Sequence, residues 1–364
     1  MRGRGTRVRE GVWKNSDPKK DRPWLEPRSF GHWTVPQTIV GWSPDIDLLI
    51  GGGFTRTSWG FRNRPEATIQ TLRGVFATGD MNGKLEYAGT FRKAASGLSL
   101  RLNVFGSGIE RFNFFGLGND TPEETDRERY KTEENVAFAS PTLRWESGPR
   151  FEAHAGPEVR FSKSPTSGPT IVGDEQFYGT GDFGTVTLKA GLHLDTRGRP
   201  GAHASANLAE GFVEAAGARK VTGLQLVASG AYVPEVWDVE SGYGWIDGFV
   251  ATHLGNSRIH VALRAGGRKV WGTYPWFDAA YLGGLNNRGF RSHRFAGDAS
   301  LYGTAELRLW IGHLPTPIVP LRFGVLGFGD VGRVWLEGER PGIRPGAGGS
   351  SSSPWAPRSP PGPR

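Results

Sequence analysis

Side chains that could perform chemistry are few in this sequence and stand apart from one another. The eight histidines are isolated, and none lies at a zinc-type spacing from a second ligand. No Gly-x-Ser-x-Gly segment is present to expose a nucleophilic serine. The carboxylate pairs at 123–124 and 133–134 fall in a polar loop region, where solvation explains them. We therefore predict a chain that is not an enzyme and carries no cofactor or metal, so that any hydrolase activity would belong to a domain outside it.

A run of alternating residues places two charged side chains on one face of a strand. Successive side chains of a strand point to opposite faces. Glu306 and Arg308 therefore share one face, and apolar residues occupy the other. The apolar parity is Ala299, Leu301, Gly303, Ala305, Leu307, Leu309 and Ile311, whereas the polar parity is Ser300, Tyr302, Thr304, Glu306, Arg308 and Trp310.

The same alternation recurs along most of the chain and predicts an all-β, antiparallel fold of about thirteen strands. The Asn82-Gly83 pair predicts a hairpin turn. The Gly51-Gly52-Gly53 run lacks the Gly-Lys-Ser/Thr ending of a phosphate loop, so it indicates a glycine kink in a curved strand. Candidate strands lie at 47–59, 67–78, 83–93, 98–104, 134–147, 150–162, 184–197, 202–214, 221–233, 243–254, 257–271 and 299–311, followed by a strand that contains Phe328.

Composition narrows the class of protein. The chain has 55 Gly and 13 Trp among 364 residues, which is typical of curved strands with aromatic girdles in membrane barrels. No run of eighteen apolar residues occurs, so no transmembrane helix is predicted. Cysteine is absent, which excludes disulfides and thiolate chemistry. The net charge of +8 is spread over alternating strands and both termini, which argues against a nucleic-acid partner.

Two short motifs in the last third of the chain carry a family resemblance. Arg288-Gly289-Phe290 follows Gly-Gly-Leu and precedes Gly297-Asp298, and Phe328, Asp330 and Gly332 form a Phe-x-Asp-x-Gly pattern on one parity of a later strand. In this combination the chain resembles the bacterial surface antigen family of BamA/TamA-type outer-membrane β-barrels.

The resemblance implies a sixteen-strand antiparallel transmembrane β-barrel, of which about thirteen strands are present here. The loop at 272–297 would fold into the barrel, and Arg288 at its tip would pair with Asp330. Such pairing has a physical reason, because an unpaired charge in a confined site is costly. We expect Gly289 to allow the tight turn that aims Arg288, with Glu306 and Arg308 lining the lumen nearby.

Two other stretches leave structural questions open. Residues 110–131 contain an acidic and basic cluster and are expected to be a solvated loop. Trp271, Tyr274, Trp276 and Phe277 cluster at the start of the 272–297 loop. They suit either an interfacial aromatic belt or a buried aromatic knot under the loop.

Composition divides the chain into three parts. Residues 1–36 form a basic segment rich in Pro and Trp without the apolar region of a secretory signal. Residues 37–337 form the barrel, and residues 338–364 are a low-complexity tail predicted to be disordered. We expect the numbered chain to be part of a longer polypeptide or to have a misassigned start, and its C-terminus to come from a truncated or shifted reading frame.

The resemblance implies a location in the bacterial outer membrane and a role in outer-membrane protein assembly or polypeptide translocation. Expected partners are outer-membrane lipid, unfolded outer-membrane protein clients and a fused or upstream periplasmic domain. A rival role is the membrane anchor or exporter of a fused metallophosphoesterase, a type that Trp24-Leu-Glu-Pro-Arg28 and Phe115-Gly-Leu-Gly-Asn119 resemble. The pattern of strands also suits a passive pore or a soluble lipocalin-like barrel.

Overall fold

The structure is dominated by one large antiparallel sheet. The computed structural model describes residues 30–61, 66–93, 96–121, 128–148, 150–196, 223–255, 258–314 and 321–337. The strands are β1 Phe30–Ser43, β2 Asp47–Phe61, β3 Thr68–Ala77, β4 Asn82–Arg92, β5 Leu98–Asn113, β6 Lys131–Ser147, β7 Phe151–Lys163, β8 Asp182–Asp195, β9 Gly223–Val233, β10 Tyr243–Gly255, β11 Ile259–Trp271, β12 Ala280–Leu282, β13 Phe295–Gly297, β14 Ala299–Leu314 and β15 Leu321–Trp335.

Strands adjacent in sequence are neighbours in space. Thirteen strands form a single sheet in the order β1 to β11, then β14 and β15, while β12 and β13 pair as a separate two-stranded sheet. Every pairing is antiparallel. Among the described residues, β1 and β15 are the two ends of the large sheet. The predicted all-β antiparallel fold is confirmed.

The sheet turns its apolar side chains outward and its polar side chains inward. On β14, Leu301 is 56% exposed and Leu307 is 44% exposed, whereas Glu306 and Arg308 are 3% and 1% exposed. β8 has the same distribution, because Leu188 is exposed and its polar neighbours Thr185 and Thr187 are buried. The alternation in the sequence predicts this split, because the side-chain period of a strand is two.

The charged residues of the inner face are paired across neighbouring strands. Arg160 on β7 donates to Glu134 on β6 over 2.6 Å, and Lys84 on β4 donates to Glu110 on β5 over 3.1 Å. Such pairs satisfy charges in a confined space, where an uncompensated charge would be strongly destabilising.

An apolar core closes one end of the inner face. We call this the loop end, because it carries the long connections 114–130, 164–181, 234–242 and 272–298. Phe114, Val172, Tyr243 and Trp276 are almost fully buried there and belong to one packed cluster. This core ties several loops to the strands β8 to β11, so the loops form a packed cap rather than separate excursions.

In the part of the chain that the structure describes, helical segments are short and lie at the loop end. The helix α1, Ile171–Glu175, begins after Thr170, whose hydroxyl accepts from the Gly173 amide over 3.2 Å. Two 3-10 turns lie at Glu128–Tyr130 and Trp276–Asp278. Within the described residues, no helix has the length and apolar character that crossing a membrane requires.

The first strand begins earlier than expected. β1 covers Phe30–Ser43, so it crosses the expected boundary between residues 36 and 37 and precedes the first predicted strand. The first half of β1, residues 30–36, is exposed on both faces, so no buried face marks the start of the strand. The predicted strand at 202–214 lies outside the described residues, as do most of the basic segment and all of the tail from 338.

The glycine run of β2 allows a close approach to β3. A Cβ added at Gly53 would lie 2.1 Å from the Leu72 carbonyl oxygen, and one added at Gly51 would lie 2.2 Å from the Gly74 carbonyl oxygen. Real Cβ atoms do not approach backbone this closely, so the two strands would have to separate.

We predict that Gly53→Ala destabilises the folded sheet by about 1–3 kcal/mol, because the methyl group would force the β2 and β3 backbones apart. The matched control is Gly106→Ala on β5, where an added Cβ meets nothing within 4 Å. The measurement is the temperature at which the folded band disappears in semi-native electrophoresis. Equal shifts for the two variants would contradict the proposed close approach.

Candidate functional site

The loop at 272–297, here called the plug loop, lies against the inner face rather than in solvent. It contains β12 and β13, and the β12 residues Ala280 and Leu282 are almost fully buried. Leu282 packs with Tyr302 on β14 and Val334 on β15. The hairpin therefore rests on the last two strands of the sheet and delivers its tip, residues 283–294, to their inner surface.

The tip of the plug loop contains two turns. Gly283 and Gly284 have positive φ values of 124° and 63°, in the region that favours glycine. A Cβ at Gly283 would also lie 2.1 Å from the Arg291 carbonyl oxygen. Arg288 and Gly289 lie at the centre of the second turn, which the Phe290 amide closes by donating to the Asn287 carbonyl oxygen over 3.1 Å. Gly289 therefore lies in the turn that presents Arg288, but it has no positive φ, and a Cβ there would meet nothing within 4 Å.

Arg288 binds Asp330 through three donors. The Arg288 backbone amide and Nε both donate to Asp330 Oδ2, over 2.9 and 2.8 Å, and Nη2 donates to Oδ1 over 2.7 Å. The side-chain pair is bidentate, which fixes direction as well as distance. The contact between Arg288 and Asp330 that the family resemblance implies is thus present.

Glu306 joins two arginines from different segments. Its Oε1 accepts from Arg288 Nη1 of the plug loop, and its Oε2 accepts from Arg308 Nε over 2.9 Å and from Nη2. The β14–β15 register, which pairs Thr304 with Asp330, brings the two carboxylates beside one guanidinium. Two cations and two anions make the cluster neutral, which lowers the cost of burying it.

The electrostatics favour a fixed, charged Arg288. Hydrogen bonds to Asp330 and Glu306 raise the pKa of Arg288 above its ordinary value. The Glu306 and Asp330 side chains are 2% and 4% exposed. Because carboxylates this deeply buried need compensation, the plug loop is bound most strongly at Arg288.

All three residues of the Phe-x-Asp-x-Gly motif contact the plug loop. The Arg288 guanidinium carbon lies 3.9 Å from the centre of the Phe328 ring, in a cation–π contact. Asp330 accepts the hydrogen bonds described above. A Cβ at Gly332 would lie 2.7 Å from Leu282 Cδ2, so the glycine makes room for the plug loop. One face of β15 is therefore a seat for this loop.

Phe290 plays a smaller part than its place in the motif suggests. It is 38% exposed, and its ring packs edge-on against Phe295 at a centroid distance of 5.0 Å. Its backbone carbonyl accepts from the Gly284 amide over 3.0 Å, which closes the turn at the tip.

His293 anchors the other side of the tip through its ring. It stacks on Phe112 at 4.2 Å with an interplanar angle of 8°, and burial lowers the pKa of His293 below its ordinary value. The folded state therefore favours the neutral ring. The contact contributes stability at pH values above the pKa of His293 in the unfolded chain, and this contribution is lost as the pH falls toward the lower pKa of the folded protein.

We predict that Arg288→Ala releases the plug-loop tip, because it leaves the buried Glu306 and Asp330 carboxylates undercompensated at a cost of about 3 kcal/mol. The measurement is the rate at which proteinase K cleaves within the plug loop of the folded protein. Arg291→Ala is the control, since it removes an equal charge from an exposed position of the same loop. Cleavage of Arg288→Ala at the rate of the unaltered chain would contradict the assignment.

A second segment, residues 114–121, is here called the strap, and it ties the plug loop to β15. The Gly118 amide donates to the Ala296 carbonyl oxygen over 2.7 Å. Arg294 of the plug loop donates to the Thr121 carbonyl oxygen over 2.7 Å. Asn119 Nδ2 donates to the Val334 carbonyl oxygen over 2.8 Å, and the Val334 amide donates back to Asn119 Oδ1 over 3.1 Å.

Asn119 occupies the free edge of β15. The Trp335 carbonyl oxygen accepts from the Asp298 amide, next to β14. Backbone groups of successive strand residues point to opposite edges, so those of Val334 point away from β14. The side-chain amide of Asn119 therefore bonds the Val334 backbone at the edge where an adjacent strand would bond it. Phe115-Gly-Leu-Gly-Asn119 stands out in the sequence, but its spacing gives no indication of a contact between residues 215 positions apart.

The described part of 110–131 is not the solvated loop that the sequence predicts, whereas residues 122–127, which hold most of the acidic and basic cluster, lie outside the described residues. β5 continues to Asn113, β6 begins at Lys131, and Phe114 and Phe115 are 0% and 2% exposed. The charge-rich stretch conceals this, because its acidic and basic residues closely follow the buried aromatic pair.

The aromatic residues at 271–277 do not all fit the same interpretation, the interfacial belt or the buried knot. Trp276 and Phe277 are buried in the apolar core with Tyr274 packed beside them, as an aromatic knot requires. Trp271 is 49% exposed at the end of β11. The aromatic-belt interpretation is therefore wrong for the buried residues and stays a prediction for Trp271 alone.

Residues that could hold a metal are not grouped in the described part of the chain. There, no three or more His, Cys, Asp or Glu side chains lie together as a metal ion would need. The charged cluster around Arg288 consists of ion pairs that join the plug loop to β14 and β15.

Comparison with known proteins defines the architecture. No protein-family model matches the sequence, and no curated protein matches it. Among solved structures, the chain is similar to the crystal structure of BamA from Haemophilus ducreyi lacking POTRA domains 1–3, with a TM-score of 0.55 and 14% sequence identity. The fold is that of a BamA-type β-barrel. The similarity covers 83% of this chain and 58% of that BamA chain, so less than two thirds of the BamA chain has a counterpart here.

We predict that Asn119→Ala frees the strap from β15 and costs about 1–3 kcal/mol, the contribution of two hydrogen bonds. Hydrogen exchange followed by mass spectrometry should show faster exchange at 331–335 with little change at 321–327. Asn113→Ala, at the end of β5, is the control. If Asn119→Ala left exchange at Val334 unaltered, the strap would not be bonded there.

Proposed function

We propose that this chain is an integral outer-membrane β-barrel of the bacterial surface antigen family, acting in outer-membrane protein assembly or polypeptide translocation. The membrane location rests on the distribution of side chains over the two faces of the sheet. Exposed leucine, isoleucine, valine and aromatic side chains face outward, while polar and charged side chains face inward, and a bilayer is the surroundings that favour this distribution.

Strand length supports a membrane location. The shortest strand of the large sheet, β3, has 10 residues, and the longest, β6, has 17. A tilted strand needs about 9–11 residues to cross the hydrocarbon core. Each of the thirteen strands is therefore long enough to span a bilayer, and the proposed lipid partner would contact the outward leucines.

The assembly role rests on the BamA-type fold together with the Arg288 cluster. A loop held inside the barrel by four charged residues is a binding arrangement, and the packed cap at the loop end opposes a passive pore. Proposed partners are unfolded outer-membrane protein clients and a periplasmic domain. The role as anchor or exporter of a fused phosphoesterase stays a prediction of the sequence resemblance.

We predict that Leu307→Arg, near the middle of β14, destabilises the folded chain in lipid bilayers by about 2–4 kcal/mol. Leu301→Arg, near the strand end, should cost about 0–1 kcal/mol because the interface tolerates charge. The measurement is urea unfolding in lipid vesicles. A water-exposed face would instead give changes within about 0.5 kcal/mol at both positions, which would contradict a membrane location.

The assembly role is tested by reconstitution. The full chain in lipid vesicles should accelerate the folding of a small urea-unfolded outer-membrane protein, measured by its electrophoretic shift. Arg288→Ala should reduce the acceleration, and Arg291→Ala should preserve it. Vesicles containing the folded chain that fold the client no faster than empty vesicles would contradict an assembly role while leaving the membrane location intact.

A further inference from the structure

A cleft at the loop end, distinct from the Arg288 cluster, has the lining of a ligand site. It measures about 480 Å³ and lies between the 164–181 and 234–242 connections. Aromatic rings of Phe177, Tyr178 and Trp237 line it together with the carboxylates of Asp238 and Glu240. Its volume lies in the range of about 300–1,000 Å³ that is typical of small-ligand sites, and its wall combines aromatic with polar side chains.

The cleft is acidic within a basic chain. The 234–242 connection carries Glu235, Asp238 and Glu240 and no basic residue, although the whole chain has a net charge of +8. In the described part of the chain, no ion pair joins Asp238 or Glu240 to a base, whereas the nearby Asp174 pairs with Arg129 and Asp182 pairs with Lys163. Within that part, the carboxylates that line the cleft are therefore left without a cation.

Hydrogen bonds fix the backbone of the two acidic residues and the Asp238 carboxylate. The Tyr178 hydroxyl donates to the Asp238 carbonyl oxygen over 3.1 Å and accepts from the Glu240 amide over 2.9 Å. The Gly184 amide donates to Asp238 Oδ2 over 2.8 Å. The buried hydroxyl of Thr180, also in the wall, has no hydrogen-bond partner within the described residues.

One residue of the wall has a strained backbone. Trp237 has a positive φ value of 60°, a region that residues other than glycine rarely adopt. Gln176, also in the wall, has a φ value of 50° because it is the left-handed C-cap of α1. The Trp237 ring stacks on Phe161 at 5.0 Å. Such strain persists only where the surroundings enforce it, and it concentrates at ligand sites.

We propose that this cleft binds an organic cation, an ammonium or guanidinium group. Aromatic faces attract cations through their quadrupole, and the Asp238 and Glu240 carboxylates would supply charge-assisted hydrogen bonds. An anion would be repelled by both carboxylates. The cation comes from either of two sources, a free polyamine or a basic side chain on a polypeptide.

The test is calorimetric titration of the folded full chain in detergent with three probes. Spermidine represents the free amine, the blocked peptide acetyl-Gly-Arg-Gly-amide represents a basic side chain, and heptane-1,7-diol is the neutral control. We expect saturable binding of at least one cation and none of the diol. The tighter cation identifies the source. Binding of the diol as tightly as the cations, or saturable binding of neither cation, would overturn the proposal.

Variants locate the binding to this cleft. Glu240→Gln should weaken cation binding about tenfold, the effect of losing one charged hydrogen bond, and Trp237→Leu should weaken it about threefold. The matched control is Glu235→Gln, which removes an equal charge from the same connection but not from the wall of the cleft. Equal weakening by Glu235→Gln and Glu240→Gln would overturn the site. Each variant is first checked for the folded electrophoretic band.

Discussion

The buried carboxylate of Glu306 is the constraint on which the arrangement of the inner face depends. It lies on β14 with its side chain 2% exposed, and it accepts from Arg308 on its own strand and from Arg288 of the plug loop. A carboxylate so deeply buried must be compensated, and the strand supplies only part of that compensation. The second cation comes from a loop, so burying this charge also binds the plug loop to the sheet.

Several features of the fold are consistent with this constraint. β15 places Asp330 beside Arg288 and presents Gly332 where Leu282 of the plug loop must fit. The strap adds an independent restraint, since Asn119 bonds the backbone of Val334 on the same strand. The buried charges around Glu306 are thus compensated by ion pairs, and the outer face is left to apolar side chains. A sheet built this way is unsuited to water and suited to lipid.

Much of the fold can be predicted from the sequence, because a period of two is a local signal. The exposure of Leu307 and the burial of Glu306 follow directly from their parity. β1 is missed because its first half is exposed on both faces and lies within the basic segment that is rich in Pro and Trp. The contact of Arg288 with Asp330 follows from resemblance, whereas periodicity alone places Glu306 and Arg308 only on a common face.

Other parts of the site are beyond the reach of sequence reasoning, for physical reasons. Gly289 can be expected in a turn from its type, whereas the positive φ values at Gly283 and Gly284 depend on the path of the whole loop. The role of Asn119 depends on a contact with Val334 across the inner face, which no local pattern encodes. The buried aromatic knot around Trp276 likewise needs the packing of several loops to be known.

The most direct test of the central claim is whether the plug loop lies against the inner face of β15 in the folded protein. The chain has no cysteine, so cysteines introduced at Leu282 and Gly332 would be the only reactive pair. A short bifunctional thiol reagent should link them in the folded barrel. It should not link Leu282 to a cysteine at Val331, which lies on the opposite face of the strand. Linking of the 282–331 pair, or of neither pair, would contradict a plug loop seated inside the barrel.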